Sequence, residues 1–221
     1  MQFVPAPPAD GSAREQADKA ASDSLLSLEG TARWDRAARD ADLSFPSAAS
    51  IFACALGVSV SDSETPALYR LLQRSLTDLG LATYPAKKAY QRSRPFLVNN
   101  QAICSPEERT DLETDGSYPS GHSAVGWGWA LILSQLAPER AEAILSRGRD
   151  YARSRMVCNV HWMSDTEAGM AVGAAAFAQL QNNALYQATM RAARLELDAK
   201  TLAKPNPQAC AEEAEILSVG R

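Results

Sequence analysis

The chain has 221 residues, a formal net charge of −4, 46% hydrophobic and 22% charged residues. That length suffices to bury one sizeable core, and the composition is globular, not disordered. No strongly basic stretch is present to suggest nucleic-acid binding. The longest apolar runs, near 168–178 and 127–133, are too short and too broken by glycine or polar residues to cross a bilayer, so no membrane insertion is expected.

Three prolines near the start (Pro5, Pro7, Pro8) predict an extended arm over residues 1–10, lying on its own domain or on a partner chain. No positively charged segment leads into an apolar one at the N-terminus. The expectation is a cytoplasmic chain, or a mature form with a start codon added. From there the chain reads as helix after helix. Residues 12–29 are rich in Ala, Glu, Lys and Leu. Thr31 is placed to cap a helix over Arg33–Leu43, and Pro46 suits a first helical position ahead of Ile51, Phe52, Ala55 and Leu56. Thr65-Pro66 repeats that signal before Leu68, Leu71, Leu72, Leu76 and Leu79, with Gly80 as the stop.

Ser105-Pro106-Glu107-Glu108 predicts a capping box opening a short helix. A helix follows Ser120-Gly121 to Ala137, and Pro138 opens another that reaches Met156. The segment 164–180 is dense in Ala and Gly, which predicts a helix packed closely on several sides; 184–202 forms a last amphipathic helix. Lys204-Pro205-Asn206-Pro207 reads as the start of a loose tail over 203–221. With no clean period-two alternation, the fold class is all-α, one helical domain over 11–202. The four cysteines (Cys54, Cys104, Cys158, Cys210) show no metal-binding spacing, and two disulfides are permitted by three connectivities but not required.

The chemistry concentrates in three blocks around the only two histidines. Lys87, Lys88, Arg92 and Arg94-Pro95 form a cationic cluster. Arg and Lys donors of this kind stabilise the charge that spreads over phosphoryl oxygens, although alone the block reads more readily as a solvated helix face. Gly116–His122 is a Pro- and Gly-shaped turn ahead of an apolar helix. There the free N–H groups, Ser120 and the close approach allowed by Gly121 favour an anion beside His122; the plain alternative is a capped helix with an incidental histidine. The third block runs from Ser154-Arg155 to His161 and Asp165. His161 and Asp165 are four apart and share a helical face, so the carboxylate would fix the imidazole tautomer and free the other nitrogen to attack. Alone, that pair reads as a surface ion pair with Asp165 doubling as a helix cap.

Together the blocks form one pattern: Lys, six residues, Arg-Pro; then Pro-Ser-Gly-His; then Ser-Arg, five residues, His, three residues, Asp. Lys87, Arg94, Pro95, Pro119, Ser120, Gly121, His122, Ser154, Arg155, His161 and Asp165 fill every position. This resembles the three-part signature of the phosphatidic-acid-phosphatase and vanadium-haloperoxidase superfamily, and a chance match is negligible. Within it the chain is similar to the class A bacterial nonspecific acid phosphatases over roughly 6–178, including Gly11-Ser12, the segments 40–44 and 51–57, and Gly116–His122. Met163 stands where relatives often have Gln, and Ser123 where Thr is common.

The resemblance implies a helical bundle of that type and a metal-independent phosphatase with no cofactor. Substrates would be small phosphate monoesters (nucleotides, aryl and sugar phosphates), with phosphotransfer to alcohols as a side activity and inhibition by vanadate. His161 would become the phosphohistidine, Asp165 would orient it, and Lys87, Arg94, Ser120, Gly121 and Arg155 would bind the phosphoryl oxygens. His122 would protonate the leaving alcohol and then activate water, giving a bell-shaped, acidic pH profile. The resemblance further implies periplasmic export, which fits the even cysteine count, and a homo-oligomer to which the arm could contribute. A haloperoxidase would hold vanadate in the same pocket but resembles this sequence only in a much longer chain. A lipid phosphatase of the membrane lacks its spans here, and a degenerate anion-binding protein does not fit an intact signature. Tyr118, Trp162 and Met163 neighbour the leaving-group side in sequence, where packing roles are as plausible as contact.

Overall fold

The computed structural model describes residues 4–198 and 202–220, and among them every regular element is helical. The helices are α1 (Ala13–Leu25), α2 (Ala32–Ala41), α3 (Ala53–Leu56), α4 (Pro66–Leu81), α5 (Tyr84–Tyr90), α6 (Pro95–Asn99), α7 (Arg109–Thr114), α8 (Gly121–Leu136), α9 (Ala141–Val157), α10 (Met163–Leu180), α11 (Ala184–Leu197) and α12 (Pro207–Ser218). The all-α reading holds. Helix α8 is the centre: it packs on α4, α9 and α10, while α11 covers α4 and α2 covers α9. An apolar helix surrounded on three sides has no solvent face to be polar. Val125, Trp129, Ile132 and Leu133 of α8 are accordingly buried with Leu68, Leu72 and Leu79 of α4. The Trp129 indole N–H is satisfied by the Leu72 carbonyl at 3.1 Å and Ser75 Oγ at 3.2 Å.

Small residues set how closely these helices approach. A Cβ at Gly173 would stand 2.3 Å from the Ala124 carbonyl oxygen, and one at Gly169 2.4 Å from that of Ser120. The density of Ala and Gly in α10 therefore reflects backbone contact with α8. Replacing Gly173 by Ala is expected to destabilise the fold by about 1–3 kcal/mol despite alanine's better helix propensity, because the obstacle is main chain and cannot rotate away. A lowered midpoint in urea unfolding checks this; an unchanged or raised midpoint would count against it.

Several caps form as the sequence predicts. Thr31 Oγ1 accepts from the Trp34 N–H, and Ser120 Oγ from the Ser123 N–H. Others do not. Ser105 makes no cap bond; its segment starts as a 3-10 turn, Pro106–Glu108, before α7, with the Ser105 hydroxyl buried against Cys158. Thr65 turns its hydroxyl back to the Ser61 carbonyl, and Gly80 lies inside the last turn of α4, not beyond it. Pro46 follows a cis peptide and precedes a 3-10 turn, Ser47–Ser50, instead of opening a helix. The predicted helix over 184–202 ends at Leu197, and its expected last turn includes residues 199–201, outside those described.

Residues 203–221, expected as a loose tail, carry α12. Asn206 caps it by accepting from the Gln208 and Ala209 N–H groups, Pro207 occupies the first turn, and Glu213 pairs with Arg36 at 3.0 Å and Arg147 at 3.1 Å. The Asn-Pro pair that reads as a breaker is here a helix start. Disulfides join Cys54 to Cys210, fastening α12, and Cys104 to Cys158. Of the N-terminal arm, the described residues 4–10 lie on this chain's own helical domain, where the Pro5 carbonyl accepts from the Tyr118 hydroxyl at 2.7 Å.

Candidate active site

The basic block at residues 87–95 runs from one short helix into the next with a sharp reversal between them. Gln91 takes a left-handed conformation (φ 44°) that ends α5, residues 92–94 run on, and Pro95 opens α6. Lys87 and Arg94 thereby point inward, 4% and 1% exposed, and the solvated-face alternative is excluded for both. Ser120 and Gly121 form the start of α8, with His122 one residue on. Beyond α9, Asn159 at φ 60° turns the chain, and the N–H groups of Val160 and His161 both return to the Arg155 carbonyl. Thus three segments far apart in sequence converge.

His161 is 3% exposed, and its two nitrogens have distinct partners. Arg94 Nη1 lies 3.1 Å from Nε2. A guanidinium only donates, so Nε2 must accept, and the imidazole hydrogen resides on Nδ1. Nδ1 faces Ser117 Oγ at 3.3 Å and Asp165 Oδ2 at 3.6 Å, while the Ser117 hydroxyl donates to Asp165 Oδ2 at 2.6 Å. Asp165 therefore reaches His161 mainly through Ser117. It sits in the first turn of α10, accepting from the Trp162 N–H at 2.9 Å, and is completely buried, so it is not a surface pair. Burial raises the Asp165 pKa above its ordinary value, opposed by Arg92, whose Nη1 lies 2.6 Å from Oδ1. Arg92 also pairs with Asp18 of α1 at 2.7 Å.

Burial holds His161 well below the usual histidine pKa, reinforced by Arg94, Lys87 and Arg155. His122 is likewise lowered by burial and by Arg155. Its Nε2 lies 2.9 Å from the Ala41 carbonyl, which can only accept, so Nδ1 is the nitrogen free to exchange a proton in the pocket. Burial and Arg94 lower Lys87 to about 8, and burial lowers Arg94 to about 10. Arg155 is fully buried, yet none of its three guanidinium nitrogens has a hydrogen-bond partner; Glu108 approaches only to 3.6 Å. Such an unmade set of charged donors is costly unless an anion supplies the acceptors.

The pocket over this cluster has a volume of about 320 Å³, and Lys87, Arg94, Gly121, His122 and His161 reach its wall. Arg155 and Ser120 do not; both are wholly buried, and Ser120 Oγ serves as the cap of α8. The opposite wall is apolar: Leu43, Leu76, Leu81, Tyr84, Leu112 and Val125. Tyr118, Trp162 and Met163 are absent from it. Tyr118 packs edge-on against Tyr90, and Trp162 instead lines a separate hollow of about 400 Å³ beneath the N-terminal arm. Ser117, Asp115, Arg92 and Asp18 complete the site without belonging to the three-part pattern. The first three flank or fall inside its sequence blocks, whereas nothing local marks Asp18. Among the described residues no group of three or more His, Cys, Asp or Glu could hold a metal ion, and no helix is long and apolar enough to cross a membrane.

Helices gather two histidines and a buried cationic cluster in one place, and the PAP2 superfamily model matches residues 69–187. The chain is 40% identical to a non-specific acid phosphatase of Salmonella typhimurium over 199 residues, which span 90% of this chain and 80% of that one. It is 38% identical to an acid phosphatase of Zymomonas mobilis, over 90% of this chain and 75% of the relative. The crystal structure of a transmembrane PAP2-type phosphatidylglycerolphosphate phosphatase from Bacillus subtilis shares the fold at a TM-score of 0.50 and 18% identity, over 78% of this chain and 86% of that one. The chain belongs to the PAP2 superfamily and, within it, to the class A nonspecific acid phosphatases.

Proposed function

We propose that this phosphatase hydrolyses small phosphate monoesters with broad specificity, without a metal ion, through a phosphohistidine on His161. The observation that carries the reading is the convergence of Lys87, Arg94, Gly121, His122 and His161 on one pocket, with the Arg155 guanidinium buried without a hydrogen-bond partner and close enough to both histidines to lower them. A phosphoryl group seated deep in that pocket would supply the acceptors Arg155 lacks. Lys87, Arg94 and the Gly121 N–H would bind the remaining oxygens, with Ser120 shaping the turn that presents that N–H.

In the first step the lone pair on His161 Nε2 forms a bond to phosphorus as the ester P–O bond breaks, and His122 Nδ1–H protonates the departing oxygen. Charge left on the imidazole is balanced by Asp165 through Ser117. In the second, His122 takes a proton from water, the hydroxide oxygen bonds to phosphorus, the P–N bond breaks and phosphate leaves. An alcohol in place of water gives phosphotransfer. The apolar wall at Leu76, Leu81 and Tyr84 favours aryl over small polyol leaving groups. The two disulfides support an oxidising compartment such as the periplasm. Vanadate, a tetrahedral oxyanion, would inhibit.

The test is turnover of an aryl phosphate in excess chelator, followed by quench in alkaline denaturant and search for an alkali-stable, acid-labile phosphoenzyme. Full rate and a labelled histidine are expected; strict dependence on added metal sinks the metal-free reading.

The pH dependence follows from the two lowered histidines. Catalysis needs His161 neutral and His122 protonated. The lowered pKa of His161 preserves its neutral form into acid, while that of His122 loses its proton early as pH rises. The optimum of kcat/KM is therefore expected on the acid side. Bound phosphate beside Arg155 offsets the cation that lowers His122, so the alkaline limb of kcat should lie at higher pH than that of kcat/KM. Parallel pH profiles of the two constants check this; coincident limbs, or a kcat/KM constant to alkaline pH, would refute it.

A further inference from the structure

The site's cations are not all unoccupied. Asp115 Oδ2 lies 2.8 Å from Lys87 Nζ and 3.1 Å from Arg94 Nη2, so one carboxylate oxygen is shared by two of the three phosphate-binding side chains. The other donors of those groups face main chain, except that Arg94 Nη1 also meets His161 Nε2. Lys87 Nζ also donates to the Gly116 carbonyl; Arg94 Nε donates to the Leu112 and Asp115 carbonyls, and Nη1 to that of Val160. Asp115 lines the same pocket as His122 and His161. Resting on the functional reading above, we infer that Asp115 is an affinity-limiting residue of the phosphate site, whose carboxylate stands where a phosphoryl oxygen binds and must be displaced by substrate.

The side chain is free to leave. It is 39% exposed, whereas Lys87 and Arg94 are 5% and 1% exposed at the side chain. The Asp115 main chain is held independently: its N–H donates to the Asp111 carbonyl, and its own carbonyl accepts from Arg94 Nε. A rotation about the Cα–Cβ bond therefore moves the carboxylate out of the pocket without moving the loop. Two negative oxygens cannot share Lys87 Nζ and Arg94 Nη2 in a half-enclosed site without strong repulsion. In the ligand-free protein the same carboxylate compensates two buried cations that would otherwise lack a counter-charge. Asp115 thus lowers the affinity for phosphate, substrate and product alike, and limits retention of the product.

The experiment compares wild type with Asp115→Asn, using inorganic phosphate and orthovanadate as inhibitors of aryl phosphate hydrolysis. The variant is expected to bind both inhibitors roughly tenfold or more tightly, with KM falling alongside and a larger phosphate-induced rise in Tm. Inhibition constants that rise or stay the same would show that Asp115 only orients Lys87 and Arg94, and would overturn the inference. A crystal structure of the wild-type protein with phosphate makes the test independent of how the variant folds. The Asp115 carboxylate should be turned away from Lys87; a retained Asp115–Lys87 pair beside bound phosphate overturns the inference. A wild-type protein that neither hydrolyses aryl phosphate nor binds phosphate would strike the functional reading itself, a result separate from either of these.

Discussion

Replacing His161 by alanine is expected to lower turnover of an aryl phosphate by about 10⁴-fold or more, because it removes the atom that bonds to phosphorus and no neighbour can substitute. Ser117 is committed to Asp165, and His122 is anchored to Ala41. The fold should survive. His161 is a buried group surrounded by Arg94, Lys87 and Arg155, whose charges disfavour its protonation, and its removal leaves a small polar cavity beside Ser117. Circular dichroism and a thermal melt establish that the variant is folded. Added imidazole can enter that cavity and should restore part of the rate, as an external nucleophile would. A folded His161→Ala variant with the wild-type rate removes His161 from the mechanism.

Arg155→Ala is expected to reduce kcat/KM by ~10²–10³-fold, the usual effect of deleting one preorganised donor to a developing oxyanion. The accompanying stability change separates this from a structural defect. A buried guanidinium with no hydrogen bond and only the 3.6 Å approach of Glu108 is a liability in the ligand-free protein, so the variant should melt at the same or a higher temperature. Phosphate should then stabilise it less than it stabilises wild type. Because Arg155 helps lower both histidines, their pKa values should rise in the variant, moving both limbs of the pH profile upward. Lysine should not restore the rate, since one ammonium cannot reproduce the planar fork. A variant with wild-type kcat/KM, or one that unfolds with no remaining pH-profile shift, contradicts this account.

Both predictions rest on residues that the amino-acid sequence marks by itself. The spacing of Lys87, Arg94, Ser120, Gly121, His122, Arg155, His161 and Asp165 resembles one signature, and the family model matches residues 69–187, which contain all eight. Helix starts at Thr31 and Ser120 are legible too, because a cap acts within three residues. The signals that fail are those whose outcome depends on distant partners. Ser105 meets Cys158 instead of its own helix, and the helix after Asn206 is held by Cys54, Arg36 and Arg147.

The amino-acid order alone determined the helical class, the set of candidate oxyanion-binding side chains and the one-turn spacing of His161 and Asp165. Those properties are local or rest on a pattern of residue types. Only the tertiary structure decided which atoms face each nitrogen of the two histidines, that Ser117 stands between His161 and Asp165, that Arg92 and Asp18 support the carboxylate, and that Asp115 rests on Lys87 and Arg94. Each of these depends on side chains from separate segments meeting within hydrogen-bond distance. Orientation and counter-charge are set there by burial and by the identity of the facing atom, which no spacing along the chain encodes.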